Sequence, residues 1–119
     1  MYTSKYFKPK EYMCRCGTCI GRIREELLIK LDQLRSSMDR PICINSGFRC
    51  PAHNKAVGGV ARSFHMQGLA VDISTAGWAP GEREKLIAYA KDYGFTGIGL
   101  GSNFIHLDIG EQVLTVWVY

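Results

Sequence analysis

Two short runs in the C-terminal half of the sequence alternate between apolar side chains and small or polar ones. Asp72 lies opposite the large apolar side chains of residues 69–73, and His106 and Asp108 lie opposite those of residues 104–109. Because successive side chains of a β-strand point to opposite faces, both runs are predicted to be strands with one buried face. If the two strands share a sheet, their polar side chains lie on one surface.

Helices are predicted mainly outside this region. Apolar residues recur at helical spacing over residues 23–38, which predicts an amphipathic helix that covers the core. Residues 51–57 predict a short helix, because proline suits its first position and two glycines follow its end. Residues 80–93 predict a second long helix, which also begins with proline and is followed by glycine.

Three further apolar runs predict strands, at residues 42–45, 97–100 and 113–118. Turn-forming residues separate the last three strands of the sequence, so we expect these strands to form an antiparallel meander. Helices therefore come first and strands dominate the end of the chain. This order predicts the α+β class with a small antiparallel sheet.

The chain is 119 residues long, which suits one domain with a single core. No repeat or linker divides it, so we expect one domain over residues 1–119, with a Cys-rich N-terminal arm over residues 1–20. No run approaches the ~20 apolar residues of a membrane span, and the first residues lack the apolar core of a secretory signal. We therefore expect synthesis that ends in a cytoplasm, without membrane insertion.

The formal net charge is +4, and positive side chains are concentrated in residues 1–24. A basic surface favours an anionic partner, which leaves nucleic acid, a membrane surface and an anionic cell-wall polymer as alternatives. A solvated basic face without a partner is at least as common. A Cys-rich, basic nucleic-acid binder is kept as a rival hypothesis, although specific nucleic-acid binding is not expected.

His65 precedes the first of the two polar-faced strands, seven residues ahead of Asp72. The intervening loop allows His65 to fold back over the face that carries Asp72 and His106. Two imidazoles and one carboxylate suit a catalytic zinc site, which has three protein ligands and a fourth position for water. The alternative is that the histidines have no special role and that Asp72 is hydrogen-bonded at a sheet edge.

Residues 63–72, Ser-Phe-His-Met-Gln-Gly-Leu-Ala-Val-Asp, resemble the Ser-x-His-x-x-Gly-x-Ala-x-Asp signature of the zinc D-Ala-D-Ala carboxypeptidase family. That family includes vancomycin-resistance D,D-dipeptidases and phage L-alanyl-D-glutamate endopeptidases, and it shares its fold with the hedgehog signalling domain. Residues 44–54 and 97–108 are similar to two further segments of the family, in the same order. The resemblance covers residues 7–110. It implies a hedgehog/DD-peptidase-like fold, with helices packed on one side of the sheet and a zinc site on its open face.

The resemblance also implies roles for individual residues. His65, Asp72 and His106 would bind one catalytic Zn²⁺ ion. Arg49 would bind the substrate and stabilise the negative charge that develops on its carbonyl or carboxylate group. A structural salt bridge is the competing use of Arg49.

Other site residues each have two interpretations. Ser46 and Ser63 would hydrogen-bond the substrate or support neighbouring site residues, with ordinary turn capping as the alternative. In many relatives a Glu or Asp three residues before the last ligand histidine is the general base, but here Asn103 occupies that position and cannot accept a proton. Asp108, two residues after His106, is the best-placed catalytic substitute. Alternatively, Asp108 accepts a hydrogen bond from a ligand imidazole.

Together, the resemblance implies a zinc metallopeptidase of bacterial peptidoglycan, of the phage endolysin or prophage type. Its activity would be that of an L-Ala-D-Glu endopeptidase or of a D-Ala-D-Ala carboxypeptidase or D,D-endopeptidase. We expect a monomer that is stored in the cytoplasm and cleaves stem peptides of the cell wall after release. A catalytically inactive zinc-binding module of the same fold is the rival hypothesis, which Asn103 favours.

Five cysteines cannot all pair within one chain, and a reducing cytoplasm disfavours disulfides. Three of them, Cys14, Cys16 and Cys19, lie within six residues. Together with Cys43 or Cys50, they would supply the ligands of a second, structural zinc ion that attaches the N-terminal arm to the core. A thioredoxin-like redox role is not expected, because the segment lacks a βαβ setting.

Overall fold

The computed structural model describes residues 2–19 and 21–119. Residues 1 and 20, both in the predicted Cys-rich arm, lie outside the described residues. The described chain contains four α-helices, one 3₁₀ helix and five strands. In chain order they are α1 (Pro9–Tyr12), α2 (Glu25–Met38), β1 (Cys43–Ser46), α3 (Pro51–Ala56), the 3₁₀ helix (Phe64–Gln67), β2 (Ala70–Ser74), α4 (Pro80–Asp92), β3 (Gly97–Leu100), β4 (Phe104–Asp108) and β5 (Thr115–Val118).

The two long helices confirm the amphipathic segments predicted from the sequence. α2 ends at Met38, because Asp39, the residue that follows, has a left-handed φ of 55°. α4 begins at Pro80, which suits a first helical position, and buries Leu86 and Ala90. Among the described residues, no helix is both long and apolar enough to cross a membrane. The buried apolar stripe of α2 consists of Leu27, Leu28, Leu31, Leu34 and Met38.

The five strands form one sheet in the order β1-β2-β4-β3-β5. β2 pairs antiparallel with β1 and β4, and β4 pairs antiparallel with β3. β5, however, pairs in parallel with β3. The predicted antiparallel meander is therefore wrong at its last strand, and the sheet is mixed. The physical reason is that β2 and β3 occupy both sides of β4, so that β5 finds unpaired backbone groups on the outer side of β3.

The core lies between one face of this sheet and the helices α2 and α4. Burial of each large apolar side chain there stabilises the fold by ~1.5–3 kcal/mol. The α+β class and the placement of the long helices on one side of the sheet are confirmed. The opposite face is left for polar side chains. The strands contribute five side chains without exposed surface to the core: Val71, Ile73, Ile98, Ile105 and Leu107.

The N-terminal arm is attached to α2 through the buried carboxylate of Asp32. This carboxylate accepts hydrogen bonds from the backbone N–H groups of Lys5 and Tyr6, at 2.9 and 3.3 Å. It also accepts hydrogen bonds from the hydroxyl groups of Tyr2 and Ser4. The arm is thus fixed to the helical layer before its Cys-rich segment begins.

Candidate metal centre

β2 and β4 bring two of the predicted ligands side by side. Asp72 and His106 are directly opposite each other in the antiparallel register, and Asp72 Oδ1 lies 3.0 Å from His106 Nδ1. His65, in the 3₁₀ helix, places its Nε2 atom 3.2 Å from the same carboxylate oxygen. The three ligand atoms lie within 4.8 Å of one another. The structure therefore brings together the three residues that the sequence suggested as metal ligands.

His65 is held in place by its own helix and by the end of β1. Ser63 caps the 3₁₀ helix by accepting a hydrogen bond from the His65 backbone N–H at 3.1 Å. The ring Nδ1–H of His65 donates to the carbonyl oxygen of Gly47 at 2.8 Å. This directs Nε2 at Asp72 Oδ1, the position from which it can bind a metal ion. Helix capping is thus what the Ser63 hydroxyl does.

The two ring nitrogens of His106 have the reverse roles: Nε2 is held by a neighbouring residue, and Nδ1 faces the metal centre. Its Nε2–H donates to Asp108 Oδ2 at 2.8 Å, so that Nδ1 faces Asp72. Asp108 has no exposed surface, and its Oδ1 accepts hydrogen bonds from the backbone N–H groups of Gly110 and Glu111 at 3.0 and 3.3 Å. Both carboxylate oxygens of Asp108 are therefore engaged, an arrangement that orients a ligand imidazole.

Gly97 on β3 makes room for the carboxylate of Asp108. The two residues are directly opposite each other in the antiparallel pair, and a Cβ atom at position 97 would collide with the carboxyl group of Asp108. The sequence predicted the strand but not this contact, because the contact depends on the register between β3 and β4.

Buried charges shift the pKa values of the metal-centre residues in opposite directions. Burial by itself raises the pKa of Asp72, but hydrogen bonds with His106 and His65 hold that pKa well below its usual range. Burial lowers the pKa of His106, but hydrogen bonds to Asp108 and Asp72 outweigh burial and raise the pKa to about 9. In the metal-free protein at neutral pH, Asp72 is therefore an anion and His106 carries a proton that a metal ion must displace.

Arg49 reaches the metal centre from the segment between β1 and α3. One guanidinium nitrogen, Nη2, lies 3.2 Å from Asp72 Oδ2, and both side chains are 14% exposed. Nε donates to Ser46 Oγ at 3.0 Å, and Nη1 donates to Asn54 Oδ1 at 3.2 Å. The structure thus contains the salt bridge that the sequence kept as the competing use of Arg49. It also places the guanidinium beside the predicted ligands, where Ser46 and Asn54 orient it.

The metal centre borders a cavity of about 630 Å³, a size typical of small-ligand sites. Arg49 and the three predicted ligands supply polar and charged groups along this cavity. Apolar and aromatic side chains supply much of the remaining wall. The wall residues that the sequence motifs did not indicate are Val57, Val60, Arg62, Phe64, Phe104, Glu111, Trp117 and Tyr119.

Trp117 on β5 forms an aromatic wall beside His106. The centroids of the two rings are 5.3 Å apart. The indole lies over Gly99, where a Cβ atom would collide with it, because Gly99 pairs with His106 on one side and with Trp117 on the other. Trp117 and Tyr119 alternate with valines, a pattern that places two aromatic rings on one face of a strand. Their place at the site also required the parallel pairing of β5.

The donor set of this centre fits zinc. Two imidazole nitrogens and one carboxylate oxygen are ligand types that catalytic zinc sites use. The ring of His65 is already oriented by the Gly47 carbonyl, and the ring of His106 is oriented by Asp108. The carboxylate of Asp72 lies between the two imidazoles and would be neutralised by a cation. The residues present are therefore those that could hold a zinc ion.

A second group of candidate metal ligands joins the N-terminal arm to the residue that precedes α3. Cys43 is exposed on β1 and is not part of this group. Hydrogen bonds from Thr18 lower the pKa of the Cys16 thiol to about 5. The Sγ atoms of four cysteines lie within 4.8 Å of one another: Cys14, Cys16, Cys19 and Cys50.

Comparison with known proteins relates this chain to peptidases. The sequence model of a family described as peptidase M15 matches residues 5–108. A zinc D-Ala-D-Ala carboxypeptidase of Streptomyces albus G is 39% identical over 72 residues, which are 58% of this chain and 26% of that protein. The chain therefore spans about a quarter of the length of this curated relative. The family match includes Arg49, His65, Asp72, His106 and Asp108.

Proposed function

This chain belongs to the peptidase M15 family, and from that membership we propose that it is a zinc-dependent peptidase that hydrolyses peptide bonds of bacterial peptidoglycan. The family resemblance seen in the sequence is thereby confirmed. The observation that carries the proposal is the convergence of His65, Asp72 and His106 beside a cavity that Arg49 also lines. The name of the Streptomyces relative, a zinc D-Ala-D-Ala carboxypeptidase, supports both the metal and the class of substrate.

His65, Asp72 and His106 hold the zinc ion in this proposal. When bound, the ion would act as a Lewis acid that lowers the pKa of a water molecule and polarises the carbonyl group of the substrate. In the chain itself, the Gly47 carbonyl and Asp108 hold the two imidazoles so that one nitrogen of each ring faces Asp72. These contacts reduce the reorganisation that cation binding requires.

Arg49 binds the substrate oxygen on which negative charge develops. In the metal-free protein, one nitrogen of its guanidinium donates to Asp72, and the other two donate to Ser46 and Asn54. Ser46 and Asn54 keep the guanidinium at the cavity when Asp72 is engaged by the cation. The Nη2 group then donates to a carbonyl or carboxylate oxygen of the substrate, a role that suits a planar guanidinium.

Glu111 is the side chain that accepts a proton from the attacking water. Asp72 is assigned to the metal, and Asp108 is buried with both oxygens engaged. Glu111 also lines the cavity, is partly exposed, and makes no side-chain hydrogen bond within the described part of the chain. The proton that this carboxylate takes from water can then pass to the nitrogen of the cleaved bond, so that the product leaves as an amine. Asp108 then acts as a positioning residue, which is the second of the two roles that the sequence left open.

An inactive zinc-binding module of the same family is the second candidate function. It is favoured by Asn103, an exposed side chain that cannot act as a base at the position where many relatives have Glu or Asp. Digestion of purified murein separates the two functions, using the zinc-loaded protein and its His65→Ala variant. Release of fragments by the unsubstituted protein alone is the result expected of an enzyme. Equal, negligible release by both proteins would favour the inactive module.

Two kinds of activity within this function differ in the bond that is cleaved. The Streptomyces relative favours a D-Ala-D-Ala carboxypeptidase, whereas an endolysin of a phage or prophage would act as an L-Ala-D-Glu endopeptidase or D,D-endopeptidase. Mass analysis of a digested murein of defined structure distinguishes them. A carboxypeptidase releases single D-Ala residues, whereas an L-Ala-D-Glu endopeptidase separates the stem peptide from its first alanine.

A further inference from the structure

The cysteine cluster formed by Cys14, Cys16, Cys19 and Cys50 is not used by the proposed hydrolysis, and none of its members lines the cavity. We propose that these four residues bind a second, structural zinc ion, and that this ion fixes the backbone on both sides of Arg49. The four Sγ atoms lie within 4.8 Å of one another. Tetrahedral zinc with Zn–S bonds of ~2.3 Å requires S–S separations of ~3.8 Å, so that binding needs only a small inward movement.

The structure selects Cys50 rather than Cys43 as the fourth ligand. Cys43 is the first residue of β1 and is exposed. Cys50 directly precedes α3, and its backbone N–H donates to Cys14 Sγ at 3.3 Å. This contact joins positions 36 residues apart in the sequence. The cluster is therefore formed by the tertiary fold and not by the local Cys-rich segment alone.

The turn from Cys16 to Cys19 is folded around the sulfur of Cys16. The backbone N–H groups of Thr18 and Cys19 point at this sulfur, at 3.4 and 3.3 Å. Gly17 permits the turn by adopting a left-handed φ of 76°. Such N–H groups stabilise a sulfur that carries negative charge as a metal ligand. Two of the four ligands are thus arranged before any ion binds.

Four sulfur ligands restrict the identity of the ion. Thiolates disfavour magnesium and calcium, which bind oxygen, and a four-sulfur tetrahedral site indicates zinc or iron. Zinc is the ion used in closed structural sites of this composition. It also has no redox chemistry that would damage the neighbouring thiols.

The cluster is linked to the catalytic residues through the backbone around Arg49. On one side of Arg49, the N–H of Phe48 donates to the carbonyl of Tyr12 at 3.0 Å. On the other side, the N–H of Cys50 donates to Cys14 Sγ at 3.3 Å. The segment that contains Tyr12 and Cys14 therefore holds Arg49 between two contacts. An ion that joins Cys14 to Cys50 would keep the guanidinium at the cavity.

A count of bound metal tests the site without any measurement of activity. Protein purified under reducing conditions with zinc is expected to carry two zinc ions per chain, and the control variant Cys43→Ser is expected to carry the same number. Cys50→Ser and His65→Ala are each expected to carry one. A single zinc ion in the unsubstituted chain, with cluster thiols that react freely in the folded protein, would overturn the proposal. Iron in place of the second zinc would also overturn it.

Cobalt substitution identifies which ligands hold the remaining ion in each variant. In cobalt-loaded His65→Ala we expect sulfur-to-cobalt charge-transfer absorption, and in Cys50→Ser we expect this absorption to be lost or strongly reduced. Its absence from cobalt-loaded His65→Ala contradicts the thiolate site even if the peptidase is active. Conversely, its presence supports the thiolate site even if no murein is digested. The two proposals can therefore fail separately.

Hydrogen exchange tests the link to Arg49. In the His65→Ala background the thiolate ion is the one that remains, and its removal by a chelator should accelerate amide exchange in residues 48–50 by about tenfold or more. Amides in α4, far along the chain from the cluster, provide the internal reference. Exchange in residues 48–50 that does not change on chelation would show that the ion does not fix this backbone.

Discussion

Asp108 Oδ2 accepts a hydrogen bond from His106 Nε2 at 2.8 Å, and Asp108 has no exposed surface. An asparagine of the same shape lacks the charge that holds Nε2 at position 108 and so keeps Nδ1 directed at Asp72. We therefore predict that Asp108→Asn lowers zinc affinity by about 10–100-fold. Competition with a chromogenic chelator measures the affinity, and circular dichroism controls for the fold. An unchanged affinity would remove Asp108 from its positioning role.

Glu111→Gln should lower turnover but leave zinc affinity unchanged, in contrast to Asp108→Asn. The substitution keeps the backbone N–H that donates to Asp108, so zinc affinity should stay the same. Loss of the proton acceptor should lower kcat for a murein fragment by about 10²–10⁴-fold. Turnover at the unsubstituted rate would show that another group accepts the proton.

Zinc affinity should rise with pH, because the cation competes with a proton on His106. Burial lowers the pKa of His106, but hydrogen bonds to Asp108 and Asp72 raise it to about 9. Up to that pH, displacement of one proton should tighten the apparent zinc affinity by up to about tenfold per pH unit. Chelator competition over a pH series measures how zinc affinity changes with pH. A zinc affinity that does not change with pH would contradict the assignment of His106 as a ligand.

The proton on His106 should also make the stability of the metal-free protein depend on pH. A histidine whose pKa is raised on folding stabilises the fold fully below its unfolded value of 6.5, and this contribution is lost as the pH rises to about 9. Urea unfolding of the metal-free protein should therefore show decreasing stability across this window. The decrease should be absent from His106→Gln, which has no proton to lose.

The buried carboxylate of Asp32 should account for much of the attachment of the N-terminal arm. Its four hydrogen-bond donors, on residues 2, 4, 5 and 6, are left without their acceptor in Asp32→Ala. We predict a loss of about 1.5–3 kcal/mol in the free energy of unfolding, the range for hydrogen bonds to a charged group. Asp92→Ala, on the exposed end of α4, is the matched control and should change little. Equal stabilities of the two variants would contradict this role.

Local periodicity was enough to predict which side chains share the polar face of the sheet. Asp72, His106 and Asp108 lie opposite the buried residues of β2 and β4, because side-chain alternation is a local property of a strand. The position of His65 depended on a loop that periodicity does not describe. The family signature in residues 63–72 supplied the information that alternation lacked.

The features that the sequence did not predict depend on pairing between distant segments. The apolar run at residues 113–118 predicts a strand, but the parallel pairing of β5 with β3 follows from which strand edges remain free after β2, β4 and β3 have paired. The wall formed by Trp117 depends on that pairing. Likewise, the room that Gly97 leaves for Asp108 depends on the register between β3 and β4.

Trp117 provides a test of the cavity that is separate from the metal. Its indole lies over Gly99, its ring centroid is 5.3 Å from that of His106, and it lines the cavity without providing a ligand. Because aromatic side chains supply large apolar contact areas, Trp117→Ala should weaken substrate binding and raise KM by about 5–30-fold, equivalent to ~1–2 kcal/mol. Zinc content should stay the same, since the three ligands and their partners are untouched.

Val118→Ala is the matched control for Trp117→Ala. Val118 is the next residue on β5, faces away from the cavity and is 76% exposed. Its substitution alters the same edge strand but removes nothing from the wall beside His106, so KM should stay within twofold of the unsubstituted value, a difference of ~0.4 kcal/mol. If both variants raise KM equally, the effect belongs to the stability of β5 and not to contact between Trp117 and the substrate. A rise confined to Trp117→Ala would place the bound peptide against the aromatic face of β5.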